Sequence, residues 1–511
     1  MTTPRVTARD PYVDLVRAIA ITLVVIGHWL LSNVTYHGRT FSAEDAITGV
    51  SFGPWLTLLF QVVPLFFFVG GYANALSWSR RRAERYSWLG WVRQRLRRLL
   101  VPTGGYAAAI VAVVLLCRLL GVSAANTALA AWGVAFHLWF LSVYAVILFL
   151  TPLFFALHER FGITVVLVMA ASAAVFDVGT VFGHWPLVGW ANYVLVWGAF
   201  HQLGFFWRDG AHVQYRRRLP LVIGCCVAVL SLLIGFAGYP VSMVGFPGAR
   251  IQNPSPPSVA LLTFGLAQCG LAAWVDPWVR GWWDRVTPAR LRAAVRFLAV
   301  SSMSLYLWHM VPVLIVSVIG YPLRLFPQPT VGSSSWWIQR VVWVILLAVV
   351  LAGVVALLAG FRRSVRKLRR VVSLAPVPAR RKAASPPVPA GRSIALRRVH
   401  PTGHPTAQPT AALRSVGRPA AAHPAVALRS VRAGTLGCAV ALVSGALARI
   451  ALRGFAPHGR IDVVTLGALA LGGIGAVYPE VYPERVSDEV ARSPSGRSTS
   501  PISAPGTGGE K

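Results

Sequence analysis

Apolar runs about as long as a bilayer is thick recur through the first 360 residues, and no other feature of the sequence limits the fold so tightly. A helix needs roughly 20 residues to cross a hydrocarbon core of about 30 Å. The runs lie near 13–33, 55–77, 99–120, 132–156, 162–181, 186–207, 219–238, 258–276, 297–319 and 338–360. Inside lipid each segment must satisfy its own backbone N–H and C=O groups, so runs of this kind fold as helices. At 55% hydrophobic and 13% charged over 511 residues, the chain is too apolar for ordinary soluble domains. The first run holds an arginine and a histidine and lacks an Ala-x-Ala cleavage pattern, so it reads as a retained helix. The expected fold is an all-α integral membrane protein, a bundle of about ten transmembrane helices.

Arginine orients the bundle, because cationic loops near helix ends stay cytoplasmic. Arg5 and Arg9 place the N-terminus inside. The second loop carries Arg80, Arg81, Arg82, Arg85, Arg93, Arg95, Arg97 and Arg98, the sixth Arg208 and Arg216 to Arg218, and the eighth Arg280, Arg285, Arg290, Arg292 and Arg296. Odd-numbered loops are nearly free of basic residues, with Arg39, Arg250 and Arg324 the main exceptions. Both termini are therefore expected to be cytoplasmic, in a multi-pass protein of the cell (inner or plasma) membrane. The same distribution turns the net charge of +33 away from nucleic acid and toward anionic lipid. Five cysteines without a paired CxxC spacing read as small core hydrophobes, so neither a metal nor a bound cofactor is expected.

After Phe361 the composition shifts to Arg, Pro, Ala and Ser. Residues 361–511 read as a basic, largely disordered tail, set apart from a membrane domain at 1–360. Two weakly apolar stretches, 434–452 and 461–478, leave open a hairpin at 434–478, although Arg449 interrupts the first.

Chemistry is sought among polar groups inside the helices, where an ionisable side chain is costly. Asp14, Arg17 and His28 share the first helix, with ten residues between Arg17 and His28. Eleven steps come close to three helical turns, which sets both side chains on one face about 16 Å apart. One reading has Arg17 reaching the headgroups and His28 bonding a neighbouring helix. The other makes them a reaction centre.

Asp14-x-x-Arg17, ten residues and His28 is similar to the first-helix signature of the acyltransferase-3 family, membrane acyltransferases acting on glycans, lipids and secondary metabolites. Phe66 to Tyr72 resembles the family's second-helix aromatic and Gly-Tyr segment, with Gly70 where a serine is commoner. Arg95-Leu-Arg-Arg98 resembles its Arg-x-x-Arg, His137 to Leu141 its Trp-Phe-Leu segment, and Ser304 to His309 its late Tyr-Leu-x-His segment.

The resemblance implies a cytoplasmic acyl-CoA donor and a hydroxyl-bearing glycan, lipid or metabolite acceptor. It makes His28 a general base, with Arg17 and His309 beside it in the catalytic centre. Arg95, Arg98 and Asp14 then serve the donor, while Tyr306 and Trp139 lie on the acceptor side. His309 is expected to orient the acceptor or polarise the oxyanion, and His137 and Trp139 to sit near the outer surface. Every such motif ends before residue 360, so the tail is expected to be dispensable for catalysis. The competing reading is a polytopic transporter or exporter of a polar metabolite or saccharide, against which no convincing internal repeat is found.

Overall fold

The structure, a computed structural model, describes residues 10–246, 248–374 and 424–477. Its helices in chain order are α1 (Pro11–Leu31), α2 (Gly53–Phe60), α3 (Val63–Ala83), α4 (Trp88–Leu119), α5 (Ala124–Gly133), α6 (Trp139–Phe161), α7 (Thr164–Val181), α8 (Asn192–Arg208), the single turn α9 (Ala211–Gln214), α10 (Leu219–Phe236), α11 (Val259–Val286), α12 (Ala289–Trp308), α13 (Val311–Gly320), α14 (Ser334–Leu374), α15 (Pro424–Arg453) and α16 (Val463–Val477). One antiparallel hairpin, β1 (Ser32–His37) with β2 (Thr40–Asp45), is the single sheet among the described residues. The all-α membrane class therefore holds. Among the described residues nine spans are long and apolar enough to cross a bilayer, or ten with the bent pair α12–α13 as one; α15, beyond the ten predicted runs, is counted among them, and α8, at 17 residues, is not.

Helix occupies every apolar run, but several boundaries differ from the hydropathy reading, four of them for a local reason. The second span breaks after Phe60, where Pro64 cannot supply the N–H that a continuous helix requires. α4 begins at Trp88, capped by Ser87, whose Oγ accepts from Gly90 N at 3.1 Å. Arg93, Arg95, Arg97 and Arg98 therefore ride on a helix instead of a loop, since arginine forms helix well while lowering hydropathy. α11 runs on to Val286 in the same way and carries Arg280. The ninth span is broken, with α12 and α13 inclined by 52° and Pro312 just past the break.

The core is built where α3 crosses α8. α8 has 17 residues, short for a crossing, yet its Trp197, Phe200, His201 and Phe205 are fully buried. Glycine permits the close approach: a Cβ on Gly71 would stand 1.9 Å from the His201 carbonyl oxygen, and one on Gly204 2.2 Å from that of Phe68. Rings fill the flanks, Phe67 stacking on Trp197 at 4.9 Å and Phe68 on Trp207 at 4.6 Å. Asp177, near the end of α7, is structural: it accepts from Tyr239 Oη at 2.7 Å and from Val259 N at 2.8 Å, capping α11.

The β-hairpin is tied down on both flanks. The Tyr36 backbone exchanges hydrogen bonds with the Gln328 side chain (2.7 and 3.1 Å), and Asn126 of α5 holds Phe41 N and Arg39 O at 3.0 Å each. At its base Arg340 of α14 donates to Ser32 O at 2.7 Å and to Asn33 Oδ1.

By packing the chain divides into two units, Met1–Ala352 with Ala433–Lys511, and Gly353–Arg432. The second comprises, among described residues, the end of α14 and the start of α15. Of the basic tail, residues 375–423 and 478–511 lie outside the described residues. Between them the hairpin that the sequence left open is folded, as α15 and α16, and from Ala433 onward it groups with the unit that begins at the N-terminus.

Candidate active site

The first helix is fixed at its start. Asp10 caps α1, accepting from Tyr12 N and Val13 N at 3.0 and 3.3 Å. Arg280 grips both Asp10 oxygens at 2.7 and 2.9 Å, a bidentate fork, and Tyr72 Oη donates to the same carboxylate at 3.0 Å. Arg280 also bonds the fully buried Asp276, which accepts from Trp207 Nε1 at 2.7 Å and lies 3.1 Å from His212 Nε2. α1, α3, α8 and α11 thus share one ionic knot. Sequence reading counted Arg280 only as loop charge, because its partners are remote in the chain.

In the last turn of α1 the histidines meet. His28 Nδ1 lies 2.8 Å from His309 Nε2, the rings stacked at 5.0 Å between centroids. His309 Nδ1 lies 2.7 Å from the Tyr306 carbonyl oxygen. That carbonyl only accepts, so Nδ1 carries the proton and Nε2 of neutral His309 offers a lone pair. His28 Nδ1–H donates into it, which leaves His28 Nε2 as a free base. The break between α12 and α13 makes this possible, because a helix end frees carbonyl groups for other donors. The His309 carbonyl is used as well, taking Trp29 Nε1 at 2.7 Å. One residue at the bend therefore holds two successive residues of α1.

Both ring nitrogens of His309 are engaged, one with His28 and one with the Tyr306 carbonyl, and its side chain is fully buried. Tyr306 is likewise committed, its hydroxyl donating to the His137 carbonyl. His137 is buried within the protein, 2% exposed, its ring 4.8 Å from that of His309. It lies on a short 3-10 turn between α5 and α6, within a run that hydropathy reads as one helix. The motif beginning at His137 was legible in the sequence, but its place beside His309 depends on this turn.

His28 opens onto a cavity of about 1380 Å³. Arg17, Asn74, Arg95 and Arg98 line it at one end; Asn33, Glu44, Tyr193 and Ser255 line it elsewhere, and Trp139, Phe140 and Tyr306 form part of the wall near His28. Arg17 keeps Asp14 at 3.9 Å, an ion pair longer than a hydrogen bond, while Asp14 is buried away from the cavity. Arg95 donates to Ala73 O at 3.1 Å, and Arg98 is exposed. His201 reaches the cavity only through Asn74, 3.2 Å from its Nε2. Trp139, read as an acceptor-side residue, is half-buried against Trp197. No group of three metal-ligating side chains with suitable geometry is found among the described residues.

An imidazole base held by a second imidazole, on a cavity with guanidinium groups at one end, suits proton abstraction next to a polyanionic reactant. Residues 10–359 match one known protein family, described as an acyltransferase domain. Comparison with curated proteins and with solved structures gave no match.

Proposed function

This chain belongs to the acyltransferase-3 family and is a membrane acyltransferase, and from that premise we propose that it moves an acyl group from acyl-CoA to the hydroxyl of a glycan, lipid or secondary metabolite. The observation that carries the reading is the His28–His309–Tyr306 relay on the cavity wall. His28 Nε2 takes the proton of the acceptor hydroxyl as its oxygen attacks the thioester carbonyl. The carbon–oxygen bond forms, the carbon–sulfur bond breaks, and the proton passes from His28 to the departing thiolate. Ester and free thiol result, with no protein nucleophile required.

Arg95 and Arg98 take the donor's phosphates, which a planar guanidinium pairs bidentately, and Arg17 holds the part of the donor nearer the thioester. This puts the arginine end of the cavity on the cytoplasmic side, in agreement with the positive loops, and both termini with it. Glu44, Tyr193 and Ser255 then face the acceptor from the other side. The acyl group crosses while its polyanionic carrier stays behind.

Purified protein incubated with radiolabelled acetyl-CoA or longer acyl-CoAs and a panel of hydroxyl-bearing glycans, lipids and metabolites tests the reading. Labelled ester is expected from the wild type, and His28→Ala is expected to form it slower by about a hundredfold or more. Equal labelling by the two proteins would remove His28 from the chemistry.

A further inference from the structure

The family match ends at residue 359, yet the chain folds again beyond it. α15 and α16 form a helical hairpin, closed by Arg449 Nε on Asp462 at 2.9 Å. Ser142 and Ser444 exchange hydrogen bonds across α6 and α15, Ser142 Oγ to Ser444 O at 2.7 Å and Ser444 Oγ to Ser142 O at 3.1 Å. The turn presses on α5: a Cβ on Gly454 would stand 2.9 Å from Trp132 N, and Phe455 is buried with its ring 6.4 Å from that of Tyr106. So docked, the hairpin places Ala448, Ala451 and Leu452 in the wall of the very cavity that His28 lines.

A line of rings joins that wall to the base. His28 meets Phe136 at 5.2 Å, Phe136 meets Trp132 at 5.5 Å, and Trp132 abuts the hairpin turn. Cys117, Val122, Leu129 and Ala130 line the cavity as well, with Asn126 and Thr127 of α5 the polar residues among them, so this side of it is mostly apolar. For transfer, the thioester carbonyl must reach His28 while the donor's phosphates stay with Arg17, Arg95 and Arg98. The acyl chain then has to continue past His28, away from the arginines, and an aliphatic chain is stabilised only along an apolar wall.

We infer that the α15–α16 hairpin is the far wall of the acyl-chain pocket, and that Ala448 and Ala451 set the length of aliphatic chain the enzyme accepts. The inference rests on the acyl-CoA donor proposed above. Two small side chains at the wall leave room that a larger one would fill. Each methylene excluded from an apolar pocket changes binding by about fourfold.

The test measures kcat/KM for acetyl-, butyryl-, octanoyl- and palmitoyl-CoA with whichever acceptor the labelling assay finds, in wild type, Ala448→Leu, Ala451→Phe and Ala451→Gly. The wild type is expected to use chains longer than acetyl. The ratio of long-chain to acetyl transfer is expected to fall at least tenfold in Ala451→Phe and by a smaller factor in Ala448→Leu, and to rise in Ala451→Gly. If Ala451→Phe is inactive with every donor, the direction of the Gly variant decides. A wild type confined to acetyl, identical profiles in all four proteins, or a preference that follows the acceptor's chain instead of the donor's overturns the pocket. No transfer by the wild type from any donor overturns the donor reading instead.

Discussion

A histidine becomes useful as a base when its neighbours decide which nitrogen keeps the proton. At His28 that decision comes from His309, whose own tautomer is set by a backbone carbonyl. His28→Ala is expected to lower kcat by about 10² to 10⁴, the usual worth of a positioned base, in protein that still purifies as a folded monodisperse species. His309→Phe leaves the imidazole of His28 without its acceptor and should cost less. His309→Gln supplies an amide that can donate to the Tyr306 carbonyl and accept from His28, so it should recover part of that loss. Equal activity of the Phe and Gln variants would show that His309 contributes only bulk. Arg17→Lys should raise KM for acyl-CoA, because an ammonium cannot reproduce a planar fork.

At the level of elements, two ionic closures carry the geometry. Arg280 joins the cap of α1 to α11, and Arg280→Ala would leave the buried Asp276 with fewer donors. A loss of about 1–3 kcal/mol in stability, read as a lower melting temperature in detergent, is expected. In the other closure, Asp462 accepts from Thr465 Oγ1 at 2.7 Å and Thr465 N at 3.1 Å as well as from Arg449. The Thr465 hydrogen bonds first, and Arg449 second, pull its carboxyl down to about 2 from an ordinary 3.8. A depressed folded-state value stabilises the fold above the ordinary one, and that stabilisation is lost as pH falls through the folded one. The difference in protease resistance between wild type and Asp462→Asn at the hairpin should therefore be full near neutrality and disappear between about pH 4 and 2. A difference independent of pH would place the hairpin's stability elsewhere.

For the whole molecule, the positive loops and the arginine end of the cavity call for one orientation in the membrane. Reporter fusions at Glu44 and Tyr86 should give opposite signals, and matching signals would contradict it. The tail now has a different expected outcome from the one its sequence suggested. A stop after about residue 375 removes Ala448, Ala451 and Leu452 from the cavity wall. Such a truncation, inserted and stable, is expected to lose discrimination between acyl chains, whereas deleting only the residues after 477 should not.

What the sequence determined by itself is what local signals determine. Length and apolarity of each run made it a helix, and the helical period set Arg17 and His28 on one face, because neither depends on distant residues. Arg93 to Arg98 escaped notice as helix, since hydropathy does not register charged turns near a helix start. That His309 stands in one centre with His28 was expected from the sequence, but the contact itself, across 281 residues, is a matter of packing: it needs α1 beside a helix broken at the right residue, and a break is visible in sequence only as Pro312. His137 comes beside His309 only through the short turn ahead of α6. The hairpin at α15–α16 was faint for the reason that lets it fit: alanine, glycine and serine contribute little hydrophobicity per residue, yet they allow backbones to approach closely, and that gain exists only when the partner helix is present.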